Sequence, residues 1–155
     1  MRSRSHEALG SLPADTVTGY FFSACCTLET GKVAHVIDGD TIVLVNGDSV
    51  RYIGIDAPEL TPQPEPFARE ALLANRALVE GKTITMEKDV SERDQCGRLL
   101  RYVYIENIFI NGELVRRGFA RSKAYPPDTS AQKHLNEPEY SAQGTKRGLW
   151  AEPTP

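Results

Sequence analysis

The chain has 155 residues, 40% of them apolar and 25% charged, with a formal net charge of −3. That length suits one domain, and the apolar share excludes a disordered chain. No apolar run approaches a membrane span, and three cysteines without a CxxC pair exclude a disulfide framework and a cysteine zinc site.

Residues 1–30 read as a disordered N-terminal arm or the remnant of an export segment. The arm opens on basic "MRSR" and reaches "FSAC" before Cys25, but Glu7, Pro13 and Asp15 make it too polar for the apolar region of a signal peptide. One domain is expected over 31–152, with 153–155 a tail. Val33–Ile37 is a short apolar run and a first strand. Asp38-Gly39-Asp40 is a turn, and β-branched Thr41–Val45 a second strand. Asn46-Gly47 signals a hairpin into a third strand over Val50–Ile55. "TPQPEP" is loop. Pro66 suits the first turn of a helix that carries Ala68, Ala71, Leu72, Leu78 and Val79 and ends at Gly81.

Lys82–Glu87 alternates as a fourth strand. "DVSERDQCGR" is polar loop, and Leu99–Ile105 is a fifth strand with Ile108–Ile110 as an extension. Asn111 is expected to cap a short helix over Glu113–Arg117, closed by Gly118. A last helix is expected over Pro138–Lys146, with Pro138 in its first turn. Gly148 ends it, and Trp150, the single Trp, packs that helix against the strands. Three strands, a helix, two strands and then helices predict an α+β, mainly β fold, a five-stranded barrel of mostly antiparallel strands with helices around it.

Charge is uneven along this layout. Residues 1–90 carry 8 Lys/Arg against 13 Asp/Glu, and residues 91–150 carry 10 against 7. The opening meander alone holds Asp38, Asp40, Asp48, Asp56 and Glu59, although carboxylates are poor strand formers. Strand pairing through the hairpin sets residues 41–45 against 48–52, so a bend after that strand returns Asp56 towards Asp40. Two such carboxylates repel unless a cation lies between them, and oxygen donors without His or Cys suit Ca²⁺ or Mg²⁺. In a regular strand Arg51 and Asp56 face opposite sides. Arg51 taken alone reads equally as an ordinary salt-bridge partner, and Arg98, after Gly97, as a surface residue. Taken together, a cation to polarise a phosphoryl oxygen, a Glu to accept a proton and two guanidiniums to hold phosphate are the needs of phosphodiester hydrolysis.

The chain from about Lys32 to Trp150 resembles a staphylococcal-nuclease-like (thermonuclease) domain. The resemblance rests on "VIDGDT", the Arg51–Glu59 run ending in "DAPE", Asp94–Arg98, Gly118–Ala120 and "GLW" at Gly148–Trp150. It implies an OB-fold barrel with three helices. The implied activity is Ca²⁺-dependent hydrolysis of DNA and RNA that leaves 3′-phosphates. It implies Asp40, Asp56 and the backbone carbonyl of Ala57 as ligands of one Ca²⁺, with Asp38 an acid beside them. It implies Arg51, Arg98 and Glu59 as catalytic residues and Tyr125 as a substrate contact. A monomer, secreted or in the cell envelope, is expected, with the cytoplasm as the alternative. The competing reading is a non-catalytic OB-fold module that binds nucleic acid or protein. Retention of the whole charged set favours the enzyme.

Overall fold

The computed structural model describes residues 28–152. Its first strand, β1 (Leu28–Asp38), is longer than the apolar run that predicts it. Leu28–Lys32 offers little side-chain signal, because its partner is the backbone of β5 (Thr83–Glu87), from Leu28 against Glu87 to Lys32 against Thr83. The arm expectation therefore gives way to strand from Leu28 onward, and residues 1–27 lie outside the described residues. Two register shifts after Val33 and Val36 bend β1, so that its second half pairs with β2 (Thr41–Leu44). Such irregularities turn a strand from one neighbour to the next at a barrel corner.

The hairpin forms at the expected turn, with its register one residue from the expected 41–45 against 48–52 because Val45 joins the turn. Gly47 takes φ 97°, and β2 pairs with β3 (Ser49–Tyr52) with Thr41 opposite Arg51. β3 then runs parallel to β6 (Leu99–Ile105), which is also antiparallel to β5. Order β3-β2-β1-β5-β6 with the β3–β6 pairing closes a five-stranded barrel. Its interior is filled by Val33, Ile42, Val50, Ile84 and Val103, all fully buried.

The expected third strand does not run on to Ile55. It breaks at Ile53-Gly54, where Gly54 has φ 81° and a Cβ would lie 2.5 Å from Leu135 Cδ1. A short β4 (Ile55–Asp56) leaves the barrel. After β7 (Ile108–Phe109) beside β6, a final β8 (Arg121–Ser122) pairs with β4, setting Asp56 opposite Arg121.

Three helices pack on the barrel. α1 (Ala68–Val79) buries Ala68, Ala71, Asn75 and Val79, one stripe of a helix, and Gly81 at φ 77° follows its end. Pro66 lies in the turn before it, since Phe67 is the N-cap at φ 69°. α2 (Ile110–Arg116) contains Asn111 rather than being capped by it. Asn111 is fully buried, accepts from Val103 N at 2.9 Å and donates to Ile53 O at 2.8 Å. Its amide satisfies the backbone where β3 breaks, which outweighs a cap.

α3 (Gln132–Gly144) begins well before Pro138 and carries it inside. Proline removes one ladder bond. Contacts on both sides hold the helix together: Gln132 Nε2 donates to Gly54 O and Ser122 Oγ, and Glu139 accepts from Ser122 N at 2.7 Å. A 3₁₀ turn, Gly148–Trp150, follows. Leu149 N donates to Gly118 O at 2.8 Å, and a Cβ on either Gly118 or Gly148 would overlap the other segment's backbone. Trp150 is half-buried outside the core, with the Arg121 guanidinium 4.6 Å from its ring centre.

Candidate active site

The loop between β1 and β2 carries the first acids. A Cβ on Gly39 would come 2.7 Å from Ala57 Cβ and 2.8 Å from Ala71 Cβ, so only glycine lets α1 and the segment after β4 close on this turn. Asn75 of α1 donates to Asp38 O at 2.9 Å and accepts from the Tyr52 hydroxyl at 2.8 Å. Asp38 Oδ1 in turn accepts from Asp40 N at 3.0 Å. Asp40 is thereby fixed with 2% of its surface exposed. Its carboxylate accepts from Ala57 N at 2.8 Å and from the Thr41 hydroxyl at 3.1 Å. Burial pushes Asp40 up to about 6, Arg51 opposes the rise, and the Asp38 carboxylate adds to it.

Arg51 meets Asp40 and also Asp56, which strand geometry set on the opposite face. The break at Gly54 reverses the chain, so Arg51 Nη2 lies 3.4 Å from Asp40 and 3.7 Å from Asp56. The opposite-face reading fails because β3 ends at Tyr52. Nη1 donates to Tyr52 O at 2.7 Å and to Ile55 O at 2.9 Å, which fixes the plane of the guanidinium. Glu59 is exposed on the following loop, and its N–H donates to the Glu65 carboxylate at 3.1 Å. Partial burial raises the Glu59 pKa, and the charges of Asp40 and Asp56 raise it further. Asp48 stands apart. It shapes the hairpin through Asn46 and meets Arg93 at 3.4 Å.

Closure of β3 against β6 carries Arg98 to the same side as Arg51. Asp94 Oδ1 accepts the backbone N–H groups of Cys96 and Arg98, and its Oδ2 accepts from Arg98 Nε at 2.8 Å. Burial alone would raise Asp94, but its bonds from Arg98 outweigh it and hold the carboxyl low. Both arginines line a cleft of about 640 Å³ together with Asp94, Cys96 and Tyr125. Tyr125 lies 5.7 Å below Arg51 Cζ and 5.3 Å from Lys123 Nζ, and Lys123 reaches Asp56 at 3.9 Å. Asp94 and Lys123 escape a reading of residue types alone. The four-residue step from Asp94 to Arg98 across a turn glycine is the one sequence cue for the first.

Asp40 and Asp56 thus converge on one positively charged nitrogen, with Ala57 buried beside them. Among the described residues no group of three or more His, Cys, Asp or Glu stands as a ready metal cage. The two acids still fit a hard cation, since all donors are oxygens and burial holds the carboxyl of Asp40 above its ordinary pKa despite the Arg51 charge beside it.

The family model for "Staphylococcal nuclease homologue" matches residues 49–152. "Thermonuclease" of Staphylococcus hyicus is 33% identical over 130 residues, spanning 79% of this chain and 76% of that protein. "Thermonuclease" of Staphylococcus intermedius is 31% identical over 129 residues, spanning 79% of this chain and 76% of that protein. "Endonuclease YncB" of Bacillus subtilis is 36% identical over 126 residues, spanning 76% of this chain and 59% of that protein.

Proposed function

The chain belongs to the staphylococcal nuclease homologue family, and on that premise we propose that it is a Ca²⁺-dependent nuclease that hydrolyses DNA and RNA and leaves 3′-phosphates. The observation that carries this reading is the Arg51 guanidinium, held between Asp40 and Asp56 and lining one cleft with Arg98. Asp40, Asp56 and the Ala57 carbonyl would hold the ion, and Asp38 orients Asp40 through its backbone N–H. Bound there, Ca²⁺ supplies a Lewis acid for a phosphoryl oxygen. Glu59, with its raised pKa and exposed carboxylate, accepts a proton from the attacking water. Arg51 and Arg98 hold the phosphate and the charge that grows on it. Both are fixed beforehand, Arg51 by two carbonyls and Arg98 by Asp94, so little reorganisation is needed. Tyr125, exposed in the cleft, offers a ring face to a base.

The test is incubation with single-stranded DNA and with RNA, in Ca²⁺ or in chelator, followed by analysis of product ends. Shortened products with 3′-phosphates in Ca²⁺ alone are expected. Intact substrate in both conditions sinks the reading. The alternative, a module that binds without cleaving, draws on the commitment of both Arg51 amino groups to internal partners. It predicts a gel shift with no products. A monomer acting outside the cytoplasm completes the proposal. Among the described residues no helix is long and apolar enough to cross a membrane.

A further inference from the structure

Asp56 borders a second cavity, of about 300 Å³, that neither Arg51 nor Arg98 lines. Its other walls include Glu65, Pro66, Phe67, Arg121 and Leu149, beside Ala57 and Pro58. Asp56 is also a partner of Arg51, which lines the larger cleft, so the two cavities flank one group of residues. The smaller cavity is of single-ligand size. Its chemistry is mixed in a particular way. Pro66, Phe67 and Leu149 give an apolar wall with one aromatic ring. Glu65 and Asp56 give acceptors, and Arg121 gives a cation. Among the described residues Arg121 forms no ion pair; its exposed guanidinium rests on the face of Trp150, 4.6 Å from the ring centre. A cation held on an aromatic face without a carboxylate keeps its donors for an anion from outside.

We propose that this cavity is a second nucleotide subsite, which holds the nucleoside next to the scissile phosphate on the side away from the Arg51–Arg98 cleft. The inference rests on the nuclease reading and adds to it the path of the strand. A nucleoside matches each wall. Its base has a π-face for Phe67 and an edge that tolerates Pro66 and Leu149. Its amino or hydroxyl groups donate to Glu65. Its outer phosphate meets Arg121, the cross-strand neighbour of Asp56. A phosphate alone would leave the apolar wall unused. The substrate then lies across β4 and β8, whose pairing sets Asp56 against Arg121. An enzyme that cuts within a strand gains by gripping both sides of the bond.

The experiment compares ligands of two lengths. Isotope-labelled Glu59→Gln protein, which preserves the ligand, is titrated in Ca²⁺ with thymidine bearing 3′- and 5′-phosphates and with the dinucleotide pTpTp. Amide signals and the Trp150 indole are followed by NMR. The dinucleotide is expected to move the signals of Phe67, Arg121, Leu149 and Trp150, and to bind about tenfold more tightly than the mononucleotide, within the range for one stacked base. Adding Arg121→Met, which keeps an unbranched stem over Trp150, should erase that gain and leave mononucleotide affinity within about twofold. Unmoved signals at Phe67, Arg121 and Leu149 overturn the subsite. So does an equal loss for both ligands, which would make Arg121 a support for Trp150 only. Cleavage by the unaltered protein is scored separately. Two-site binding without cleavage sinks the nuclease reading alone, and cleavage without the length-dependent gain sinks the subsite alone.

Discussion

Arg51 and Arg101 are each held between two carboxylates, in opposite surroundings. Arg101 is 1% exposed, and its Nη2 lies 2.9 Å from both Glu29 and Glu92. Those acids are wet, with side chains 38% and 55% exposed, and the bond from Arg101 pulls the Glu92 pKa down. At Arg51 the burial is reversed: the acid Asp40 is at 2%, and its pKa is pushed up. The first cluster balances the charge of a buried cation with anions that reach in from solvent. The second buries an anion that its cation does not fully compensate. An arginine between acids is therefore no mark of a site by itself. The mark is the acid left short of positive charge, which a second cation or a substrate can use.

The comparison breaks most visibly on activity. Glu59→Gln should lower turnover by about 10²–10⁴, the scale of a lost general base, with the fold intact. Glu92→Gln, the matching change beside Arg101, should leave turnover unchanged. Single-turnover cleavage of a short oligonucleotide at saturating Ca²⁺ decides, and equal losses would erase the distinction. Next in size, Arg51→Lys and Arg98→Lys should each cost about 10²–10³ in the same assay, because lysine cannot make the two-pronged contact. The double variant should lose less than the product of the two. Near-normal rates for either would leave that arginine an ordinary ion-pair partner.

Stability sharpens the same contrast. Arg101→Met should cost about 1–3 kcal/mol in urea unfolding, the worth of lost hydrogen bonds at a buried group whose partners can rehydrate. Ca²⁺ should not restore it. Arg51→Met leaves Asp40 buried beside Asp38 without its cation, and Ca²⁺ should recover much of the loss. A Ca²⁺ response at Arg101, or none at Arg51, contradicts the division.

The smallest effect belongs to a third cluster, at the surface, where Glu113 meets Arg116 and Arg117. Hydrogen bonds from Arg116 lead in bringing Glu113 from an ordinary 4.5 down to about 2. An acid lowered on folding stabilises above its unfolded pKa. This contribution is therefore full above about pH 4.5 and fades as pH falls towards about 2. Glu113→Gln should remove about 1 kcal/mol at pH 7, the upper end for exposed pairs, and flatten the acid limb of the stability curve. An unchanged acid limb would show that the pair is screened away.

Much of this was legible in the residues. Strand β6 has the bounds that the sequence predicts, and the hairpin forms at Asn46-Gly47, although its register is one residue off, with Thr41 opposite Arg51 rather than Tyr52 because Val45 joins the turn. The convergence of Asp40 and Asp56 follows from that hairpin plus a bend, which the structure places at Gly54. Other features depend on partners far away in sequence. The two-residue strands β4 and β8 are too short for any period, and their pairing is seen only once the barrel is closed. Asn111 looks like a cap until the broken end of β3 arrives to use its amide. Pro138 reads as a helix start because proline usually is one, and the anchors on Ser122 and Gly54 overrule it. Arg101 carries no local sign of its burial, since nothing near it in sequence shows that Glu29 and Glu92 will reach it.

The seam between Gly118 and Gly148 carries a consequence for the order in which the protein matures. β8 begins three residues after Gly118, and the Gly148–Trp150 turn fastens to the carbonyl just before it. On a ribosome, the barrel, Asp40, Arg51 and Arg98 are all synthesised before that fastening can occur. A nascent chain therefore carries its acids and arginines while Arg121 and the wall from Leu149 still lack their final positions. Docking of Gly148–Trp150 on Gly118 is therefore a late event in folding, set after the residues of the barrel are already in hand.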